Sequence, residues 1–348
     1  MKAMLFCINP YAFGILKPLN DELTGKGHDV IWFVPDRLSS QFPFHGEVKQ
    51  TSRVEMLHSF RSDAIFVPGN EVPHYLRGVK VQVFHGLAGE KKGHFRIRNY
   101  FDLYLTQGPY FTERFIELSR KHKDFEVKET GWCKLDPLYR NHPEYLKEKE
   151  DLLLEHKRMK LVLFAPTFSP SLTCATEAKE SIFKLATRKD ILILIKFHDL
   201  MNPQIVEEYR QLASATDNVI VVSDRNILKY LVMSDIMISD TSSVVYEFIL
   251  LNKPVITINS RSSHISWCNI DDANQLHSSF TEELLKDSFR NVRRNIIEQY
   301  HPYTDGRSSA RMISAVEEYI GLNGVPERRK MNIYRKYLMN KMFGHEPR

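Results

Sequence analysis

Small hydroxyl residues and a carboxylate follow one apolar run in the second half of the chain. The run Ile236–Ser239 leads into Asp240, and Ser242 and Ser243 then begin an apolar helical stretch that contains Glu247. The free N–H groups and the dipole at the start of a helix bind phosphate, and hydroxyl side chains add further donors. A carboxylate four residues after the second serine lies on the same side of the helix, within reach of a ribose hydroxyl. The segment predicts a nucleotide phosphate site.

Helix capping is the alternative interpretation of this segment. Asp240 or Thr241 would be ordinary N-caps, because both residue types accept a hydrogen bond from the first N–H groups of a helix. Capping explains the hydroxyl residues, but it gives no reason for Glu247 inside an apolar helix. We therefore take phosphate binding as the working hypothesis.

A histidine follows another apolar run in the first half of the chain. His85 and Gly86 come directly after Lys80–Phe84, and Lys91 and Lys92 lie a few residues further on. An imidazole titrates close to neutral pH and accepts a proton from a hydroxyl, while glycine and lysine suit a loop that approaches a phosphate. The pattern favours proton removal beside a phosphate. The alternative is a histidine that only fills a turn.

Two further apolar runs end in polar residues. Thr167 follows Lys160–Ala165, and the run Ile191–Phe197 carries Lys196 near its end, with His198 directly after it. An apolar strand needs no charge at its end in order to fold, so both basic side chains are expected to face the loop.

Short apolar runs alternate with longer helical patterns, as in parallel sheets whose strands are joined by helices. The first series of predicted strands is Ala3–Ile8, Asp29–Val34, Asp63–Val67, Lys80–Phe84, Leu103–Thr106 and Phe125–Thr130. The second series is Lys160–Ala165, Ile191–Phe197, Asn218–Val222, Ile236–Ser239 and Val255–Ile258. In such sheets ligands lie beyond the carboxyl ends of the strands, where the residues described above are found.

A charged, strand-free stretch, residues 141–160, separates the two series of strands. We predict an α/β fold with two doubly wound domains, residues 1–150 and 151–322, that face each other across a cleft. A basic amphipathic helix is predicted at residues 323–348. Two domains suit a chain of 348 residues, since roughly 100 to 200 residues per domain are usual.

Charge and cysteine content exclude several classes of protein. The formal net charge is +5, but residues 326–348 hold seven Lys or Arg and two Glu, so the rest of the chain is balanced. A nucleic-acid-binding protein spreads its basic groups over a face, so no nucleic acid is expected as a partner. The four cysteines are widely separated, which argues against a disulfide scaffold and a cysteine zinc site. The sequence has no D-x-D pair, and neither a metal nor another cofactor is expected.

In order and spacing these motifs resemble the CDP-glycerol glycerophosphotransferases, enzymes that build polyol phosphate chains of the teichoic acid type. The resemblance covers residues 81–312. It rests on His85-Gly86, Ala165-Pro166-Thr167, Lys196 with His198, the S-D-x-x-I-[ST]-D-x-S-S-x-x-x-[DE]-F motif from Ser234 to Phe248, Lys253-Pro254, and Asp305-Gly306 with Arg311. The chain departs from the family's pattern at residues 87–90, at Asp199 and at Thr241.

The resemblance implies a glycosyltransferase-B architecture of two Rossmann-like domains, with the donor nucleotide on the second domain and the acceptor approaching from the first. It implies that His85 is the general base and that His198, the second catalytic histidine, contacts the donor phosphates. The donor-binding residues implied are Thr167, Lys196, Asp240, Ser242, Ser243 and Glu247. Gly86, Lys91 and Lys92 are implied as an acceptor or phosphate loop.

The implied reaction transfers glycerol phosphate or ribitol phosphate from a CDP-polyol to a hydroxyl of a cell-surface glycan or a lipid-linked acceptor, with release of CMP. Three alternatives remain open: a glycosyltransferase that uses a nucleotide sugar, an isomerase of the UDP-sugar 2-epimerase kind, and a non-catalytic nucleotide- or glycan-binding protein. Release of CMP, release of a nucleoside diphosphate, or no net nucleotide release distinguishes the enzymes.

The basic segment near the end of the chain has apolar residues at positions 331, 334, 338 and 342. This helical spacing, with basic residues between, fits a helix that lies on an anionic lipid surface. A last helix that crosses back onto the first domain is an equal alternative, and the two do not exclude each other. Because the sequence has no apolar run of the roughly 20 residues that a spanning helix needs, we expect a cytoplasmic protein, peripheral on the inner face of the cell membrane.

Overall fold

The computed structural model describes residues 1–87, 93–140, 142–224, 226–262 and 265–347. The chain forms two compact units. We call Met1–Tyr139 together with Gln299–Arg348 the first unit, and Arg140–Glu298 the second unit. Each unit contains one sheet, and the strand pairs of both sheets are parallel.

The strands are numbered in chain order. They are β1 (Lys2–Phe6), β2 (Asp29–Phe33), β3 (Gln50–Thr51), β4 (Ala64–Val67), β5 (Val79–Gln82), β6 (Leu103–Thr106), β7 (Glu126–Glu129), β8 (Lys160–Phe164), β9 (Ile191–Ile195), β10 (Val219–Val221), β11 (Ile236–Ser239), β12 (Val255–Ile258) and β13 (Cys268–Ile270). The predicted strands are all confirmed, with ends within two residues of those predicted. β3 and β13 were not predicted.

The helices are numbered in the same way. They are α1 (Ala12–Gly25), α2 (Asp36–Ser39), α3 (Val54–Phe60), α4 (Pro109–His122), α5 (Asp136–Arg140), α6 (His142–Glu155), α7 (Lys179–Leu185), α8 (Pro203–Ser214), α9 (Ile227–Met233), α10 (Val244–Ile249), α11 (Leu276–Lys286), α12 (Arg290–Tyr300), α13 (Ser308–Asn323) and α14 (Ile333–Phe343). Short 3₁₀ helices span Cys133–Leu135 and Ala273–Gln275. Among the described residues, none of the helices is long and apolar enough to cross a membrane.

Both sheets have a doubly wound strand order. The order is β3-β2-β1-β4-β5-β6-β7 in the first unit and β10-β9-β8-β11-β12-β13 in the second. In each sheet the chain moves outward over three strands and then returns to the other side of the first one. The return creates a switch point between β1 and β4, and another between β8 and β11. Open parallel sheets bind their ligands beyond the carboxyl ends of the strands at such points.

Residues 299–322 pack with the first unit, whereas the sequence prediction assigned them to the second domain. α13 contacts α1 and β5. The N-terminus of α13 is held by the buried carboxylate of Asp136, whose two oxygens accept from the backbone N–H groups of Ser308 (2.8 Å) and Ser309 (2.7 Å). A buried carboxylate that satisfies two free N–H groups of a helix fixes that helix to the unit that carries it.

The apolar runs of the sequence form the interior of each unit. β9 is buried along its whole length, and its isoleucines pack in one cluster with Phe164, Ile182, Leu185 and Tyr209. Strands that are covered on both faces read as continuous apolar runs rather than as alternating ones, which explains why they were recognised in the sequence.

Candidate functional site

Polar residues of the second unit come together at the carboxyl ends of three neighbouring strands. β9, β8 and β11 are adjacent in the sheet, and the loops that follow them carry His198, Thr167 and Ser243. The switch point between β8 and β11 lies in the middle of this group. The residues predicted from three separate sequence motifs therefore share one edge of one sheet.

Asp240 joins the loop after β8 to the end of β11. Its buried carboxylate accepts from the backbone N–H of Thr167 (3.0 and 3.1 Å to the two oxygens) and from that of Cys174 (2.9 Å). Burial raises the pKa of Asp240, and the backbone N–H groups of these two residues oppose the rise. We interpret Asp240 as the residue that fixes the position of the Thr167 loop.

Ser242 and Ser243 form the turn that starts α10. The backbone N–H of Ser242 donates to the carbonyl oxygen of Asp240 (2.8 Å), and the exposed Ser243 occupies the N-cap position. Thr241 accepts from the backbone N–H of Arg261 (2.9 Å). The two side chains that would have capped the helix, those of Asp240 and Thr241, are thus engaged elsewhere, which favours the phosphate hypothesis over plain capping.

Glu247 lies one turn into α10, four residues after Ser243. Its side chain is buried, in contrast to the exposed serine. A buried carboxylate is costly unless polar groups surround it, so its presence in an otherwise apolar helix points to a specific role.

His198 lies exposed in the loop after β9. Its Nδ1 accepts from the backbone N–H of Leu200 (3.1 Å), which places the proton of the neutral ring on Nε2. The ring packs on that of Phe168, with centroids 4.4 Å apart, and so connects the loops after β8 and β9. Partial desolvation of the ring lowers the pKa of His198, Asp199 raises it, and Lys196 lowers it further. In its neutral form the ring therefore presents the N–H donor on Nε2.

Lys196 directly follows β9. Its side chain is buried, and its ammonium group donates to the carbonyl oxygen of Phe197 (2.7 Å). It stands beside His198, where its charge acts on the histidine ring.

His85 lies at the switch point of the first unit. It follows β5, and its Nδ1 is 2.9 Å from the carbonyl oxygen of Pro68 in the loop after β4. A carbonyl oxygen only accepts, so Nδ1 carries the proton and the lone pair of the neutral ring is on Nε2. The exposed ring stacks on Tyr11, which follows β1, with centroids 5.0 Å apart. Nε2 is thus prepared to accept a proton.

The rest of the predicted acceptor loop is described only in part. Gly86 follows His85, and its carbonyl oxygen accepts from Nε2 of Gln107 (3.0 Å). Lys91 and Lys92 lie outside the described residues.

Two of the resemblance motifs form stabilising contacts inside their units. The ammonium group of Lys253 donates to the carbonyl oxygens of Leu231 and Val232 at the end of α9. Burial and the charge of Lys149 lower the pKa of Lys253 to about 7. In the first unit Arg311 contacts Asp305 (2.8 Å). Lys253 thus contacts the end of α9 within the second unit, and Arg311 contacts the loop before α13 within the first.

Three residues that the sequence motifs did not single out contact the two histidines. They are Tyr11 and Pro68 at His85, and Phe168 at His198. The sequence feature that could have identified Tyr11 and Phe168 is an aromatic residue a few positions after a predicted strand. The contribution of Pro68 is a backbone carbonyl, which any residue could supply. Among the described residues, no group of three His, Cys, Asp or Glu side chains is arranged to hold a metal ion.

A family model for CDP-glycerol:poly(glycerophosphate) glycerophosphotransferase matches residues 48–260, more than half of the chain. Two curated relatives are similar in sequence. A teichoic acid glycerol-phosphate primase of Bacillus subtilis (strain 168) is 29% identical over 157 residues, 44% of this chain and 38% of the relative. The teichoic acid ribitol-phosphate polymerase TarL of Staphylococcus aureus is 24% identical over 274 residues, 67% of this chain and 46% of the relative. The chain spans less than half the length of these relatives.

Solved structures show the same fold. The wall teichoic acid polymerase TagF superimposes with a TM-score of 0.68 at 16% identity, covering 92% of this chain and 89% of that one. The Staphylococcus aureus MnaA complex with UDP gives a TM-score of 0.62 at 16% identity, over 92% and 98% of the two chains. The expected fold of two Rossmann-like units is confirmed.

Proposed function

The chain belongs to the CDP-glycerol:poly(glycerophosphate) glycerophosphotransferase family, and from this premise we propose that it transfers a polyol phosphate, glycerol phosphate or ribitol phosphate, from a CDP-polyol to an acceptor hydroxyl. The observation that carries the proposal is the edge of the second sheet, where Asp240 holds the Thr167 loop and Phe168 packs on His198. This switch point carries hydroxyls, backbone N–H groups and an imidazole N–H. Such hydrogen-bond donors are suited to binding the diphosphate of a nucleotide.

The reaction needs one proton acceptor and a set of donors for the phosphates. In our proposal the acceptor hydroxyl gives its proton to Nε2 of His85 as its oxygen bonds to the β-phosphorus of the donor. The bond from the β-phosphorus to the bridging oxygen breaks, and CMP leaves with that oxygen. The product is a phosphodiester, and the imidazolium of His85 then loses its proton to water. Positioning and charge neutralisation supply most of the rate increase in such transfers.

The donor's phosphates are assigned to the second unit. Nε2–H of His198 donates to a phosphate oxygen, as do the hydroxyls of Ser242 and Ser243, while Glu247 accepts from the ribose. A negative diphosphate next to His198 also favours the imidazolium form, so donor binding is coupled to proton uptake. The acceptor is proposed to be a cell-surface glycan or a lipid-linked molecule that ends in a hydroxyl.

Donor binding is expected to depend on pH through His198. Its pKa is lowered in the free protein by burial and by Lys196, and the negative charge of a bound diphosphate is expected to raise it. The affinity for CDP-glycerol should therefore increase by about three- to tenfold from pH 8 to pH 6, with at most one proton taken up. Calorimetric titration in buffers of different ionisation enthalpy measures both quantities.

His198→Gln is the matched variant, because its amide keeps a hydrogen-bond donor but does not titrate. It should bind CDP-glycerol with the same affinity at both pH values. Tighter binding of UDP-hexoses than of CDP-glycerol or CDP-ribitol would contradict the donor assignment, and an unchanged pH dependence in the variant would contradict the role of His198.

The last helix of the first unit, α14, is apolar on two faces. Met339 is buried, and Phe343 packs on Phe6 with ring centroids 5.5 Å apart. On the outer face Ile333 is 86% exposed, and Tyr334 and Tyr337 are more than half exposed. The predicted apolar stripe at 331, 334, 338 and 342 is thus divided, since Leu338 lies partly against the body of the unit.

Lysines surround the exposed apolar face of α14. Lys330, Lys336 and Lys341 are exposed around it. Tyrosines and aliphatic side chains flanked by lysines suit the headgroup region of an anionic membrane. We propose that this face rests on the inner, anionic leaflet of the cell membrane and that the protein works there from the cytoplasm, where a lipid-linked acceptor is available.

Binding to vesicles tests the lipid surface. The double variant Lys336→Ala/Lys341→Ala should bind vesicles of phosphatidylglycerol and phosphatidylcholine about 30-fold more weakly, since each lysine near such a surface contributes about 1 kcal/mol. Tyr334→Ser/Tyr337→Ser should also weaken binding. Co-sedimentation with vesicles measures the bound fraction.

The control for these variants is Leu322→Ser, which removes a 76% exposed apolar side chain at the end of α13. It should bind vesicles as the unmodified protein does. Point variants are preferable to removal of residues 326–348, because that segment also contains the buried Arg329. Equal sedimentation of the lysine variant and the unmodified protein, or equal binding to vesicles of phosphatidylcholine alone, would refute the proposal.

A further inference from the structure

Two buried glutamine side chains hold the backbone on either side of His85. Gln82, the last residue of β5, is 4% exposed, and its Oε1 accepts from the backbone N–H of Phe84 (3.0 Å). Gln107, directly after β6, is fully buried, and its Nε2 donates to the carbonyl oxygen of Gly86 (3.0 Å). Both neighbours of the histidine are therefore fixed by side-chain amides from adjacent strands.

The amide of Gln82 makes a second contact on the other side. Its Nε2 donates to the carbonyl oxygen of Gly69 (2.8 Å). Gly69 follows Pro68, whose carbonyl oxygen accepts from Nδ1 of His85 (2.9 Å). One amide thus links the backbone that carries the histidine to the loop that sets its tautomer. Only a group with both a donor and an acceptor can make this pair of bonds.

Phe84 needs such a restraint. Its φ of +60° lies in the left-handed region, which non-glycine residues rarely adopt. The buried ring of Phe84 is stacked on His94 (centroids 5.4 Å apart, 10° between planes) and lies 5.1 Å from the ring of Phe115. A strained residue persists only where its surroundings determine its conformation, and such residues cluster at functional sites. The direction in which His85 leaves the strand depends on this conformation.

We propose that Gln82 and Gln107 are positioning residues that hold Nε2 of His85 in the orientation needed to accept the proton of the acceptor hydroxyl. This inference rests on the proposed function of His85. Gln82 acts on the backbone before the histidine and on the loop that contacts Nδ1, whereas Gln107 acts on the backbone after it. Buried amides at two successive strand ends are otherwise unfavourable compared with apolar residues of the same size.

Gln82→Met and Gln107→Met keep the side-chain volume and remove the hydrogen bonds. Turnover with CDP-glycerol and acceptor should decrease about 10- to 100-fold in Gln82→Met and less in Gln107→Met, because small displacements of a reacting group have effects of this size. The KM for CDP-glycerol should stay within about twofold, since the donor is assigned to the second unit. Steady-state kinetics measure both values, and thermal unfolding verifies that each variant is folded.

Asn218→Leu is the matched control. Asn218 is also a buried amide whose Nδ2 donates to two backbone carbonyls, those of Arg188 (3.0 Å) and Ile191 (3.1 Å), but it lies in the second unit away from the loops of the site. This variant should keep its turnover. An equal loss of turnover in Asn218→Leu would show a general effect of removing a buried amide and would overturn the proposal.

The tautomer of His85 gives a readout that does not depend on activity. Nitrogen-15 spectra of the imidazole should show the proton on Nδ1 in the unmodified protein and a shift toward Nε2–H in Gln82→Met. Unchanged turnover and an unchanged tautomer in folded Gln82→Met would overturn the proposal. A loss of turnover in Gln82→Met but not in His85→Asn would instead show that the proposed function of His85 is wrong.

Discussion

Replacing His85 with Asn is expected to lower turnover by about 10²- to 10⁴-fold while the affinity for CDP-glycerol stays unchanged. The magnitude is that of losing a positioned general base. The structure supports this role because Nδ1–H of His85 donates a hydrogen bond to the carbonyl oxygen of Pro68, which leaves the lone pair of the neutral ring on Nε2. Asparagine is close in size to the ring but cannot take up the proton at neutral pH. Steady-state kinetics and calorimetric binding of the donor measure the two quantities.

The control for this variant is His58→Asn, which replaces a histidine of α3 elsewhere in the first unit. It should have the turnover of the unmodified protein. If His85→Asn transferred polyol phosphate at the unmodified rate, the base would be another group. If the unmodified protein bound the donor but released no CMP, the non-catalytic alternative would hold.

Replacing Arg329 with Met should lower the free energy of unfolding of the first unit by about 3–5 kcal/mol. Arg329 is 7% exposed and forms an ion pair with the carboxylate of Asp102, which is buried to the same degree. Its guanidinium also donates to the carbonyl oxygens of Asn99 (2.8 Å) and Asp124 (2.9 Å). Without Arg329 the buried carboxylate of Asp102 loses its ion pair and keeps the hydrogen bond from the backbone N–H of Lys80 (2.8 Å). A buried carboxylate without its cation costs more than the pair contributes.

Fluorescence during urea unfolding measures this effect. Trp32 and Trp132 lie in the first unit and Trp267 in the second, so a Trp267→Phe background reports on the first unit alone. Arg328→Met is the control, because Arg328 is exposed and its contact with Glu346 is long (3.6 Å). It should change stability by less than about 0.5 kcal/mol. A similarly small change in Arg329→Met would contradict the assigned role of the buried pair.

Most strands were predictable because they are apolar runs bounded by polar residues; β7, with Glu126, Lys128 and Glu129, is an exception. β3 and β13 were missed since β3 has only two residues, and β13 has three, one of them the polar Asn269. The return of the last helix to the first unit was one of the two alternatives drawn from the sequence, whereas the return of residues 299–322 was not expected from their own pattern. A helix shows in its sequence which face is apolar, but it does not show which core that face meets.

The candidate site was predictable in outline, because strand ends are where α/β sheets bind ligands. The orientation of single side chains was not. Asp240 points back to the loop after β8, and the buried ammonium group of Lys196 donates to the carbonyl oxygen of Phe197. The sequence pattern also does not distinguish buried from exposed basic residues near the end of the chain. In the structure Arg329 is buried in an ion pair, and Lys336 is exposed. Such differences depend on tertiary contacts.

The most direct test of polyol phosphate transfer is product analysis by phosphorus-31 NMR. The protein would be incubated with CDP-glycerol and a lipid-linked acceptor that ends in a glycerol phosphate hydroxyl. We expect CMP and a new phosphodiester to form in equal amounts, at a rate that His85→Asn abolishes almost completely. Release of CDP in place of CMP, or unchanged donor and acceptor after prolonged incubation of the folded protein, would contradict the proposed transfer.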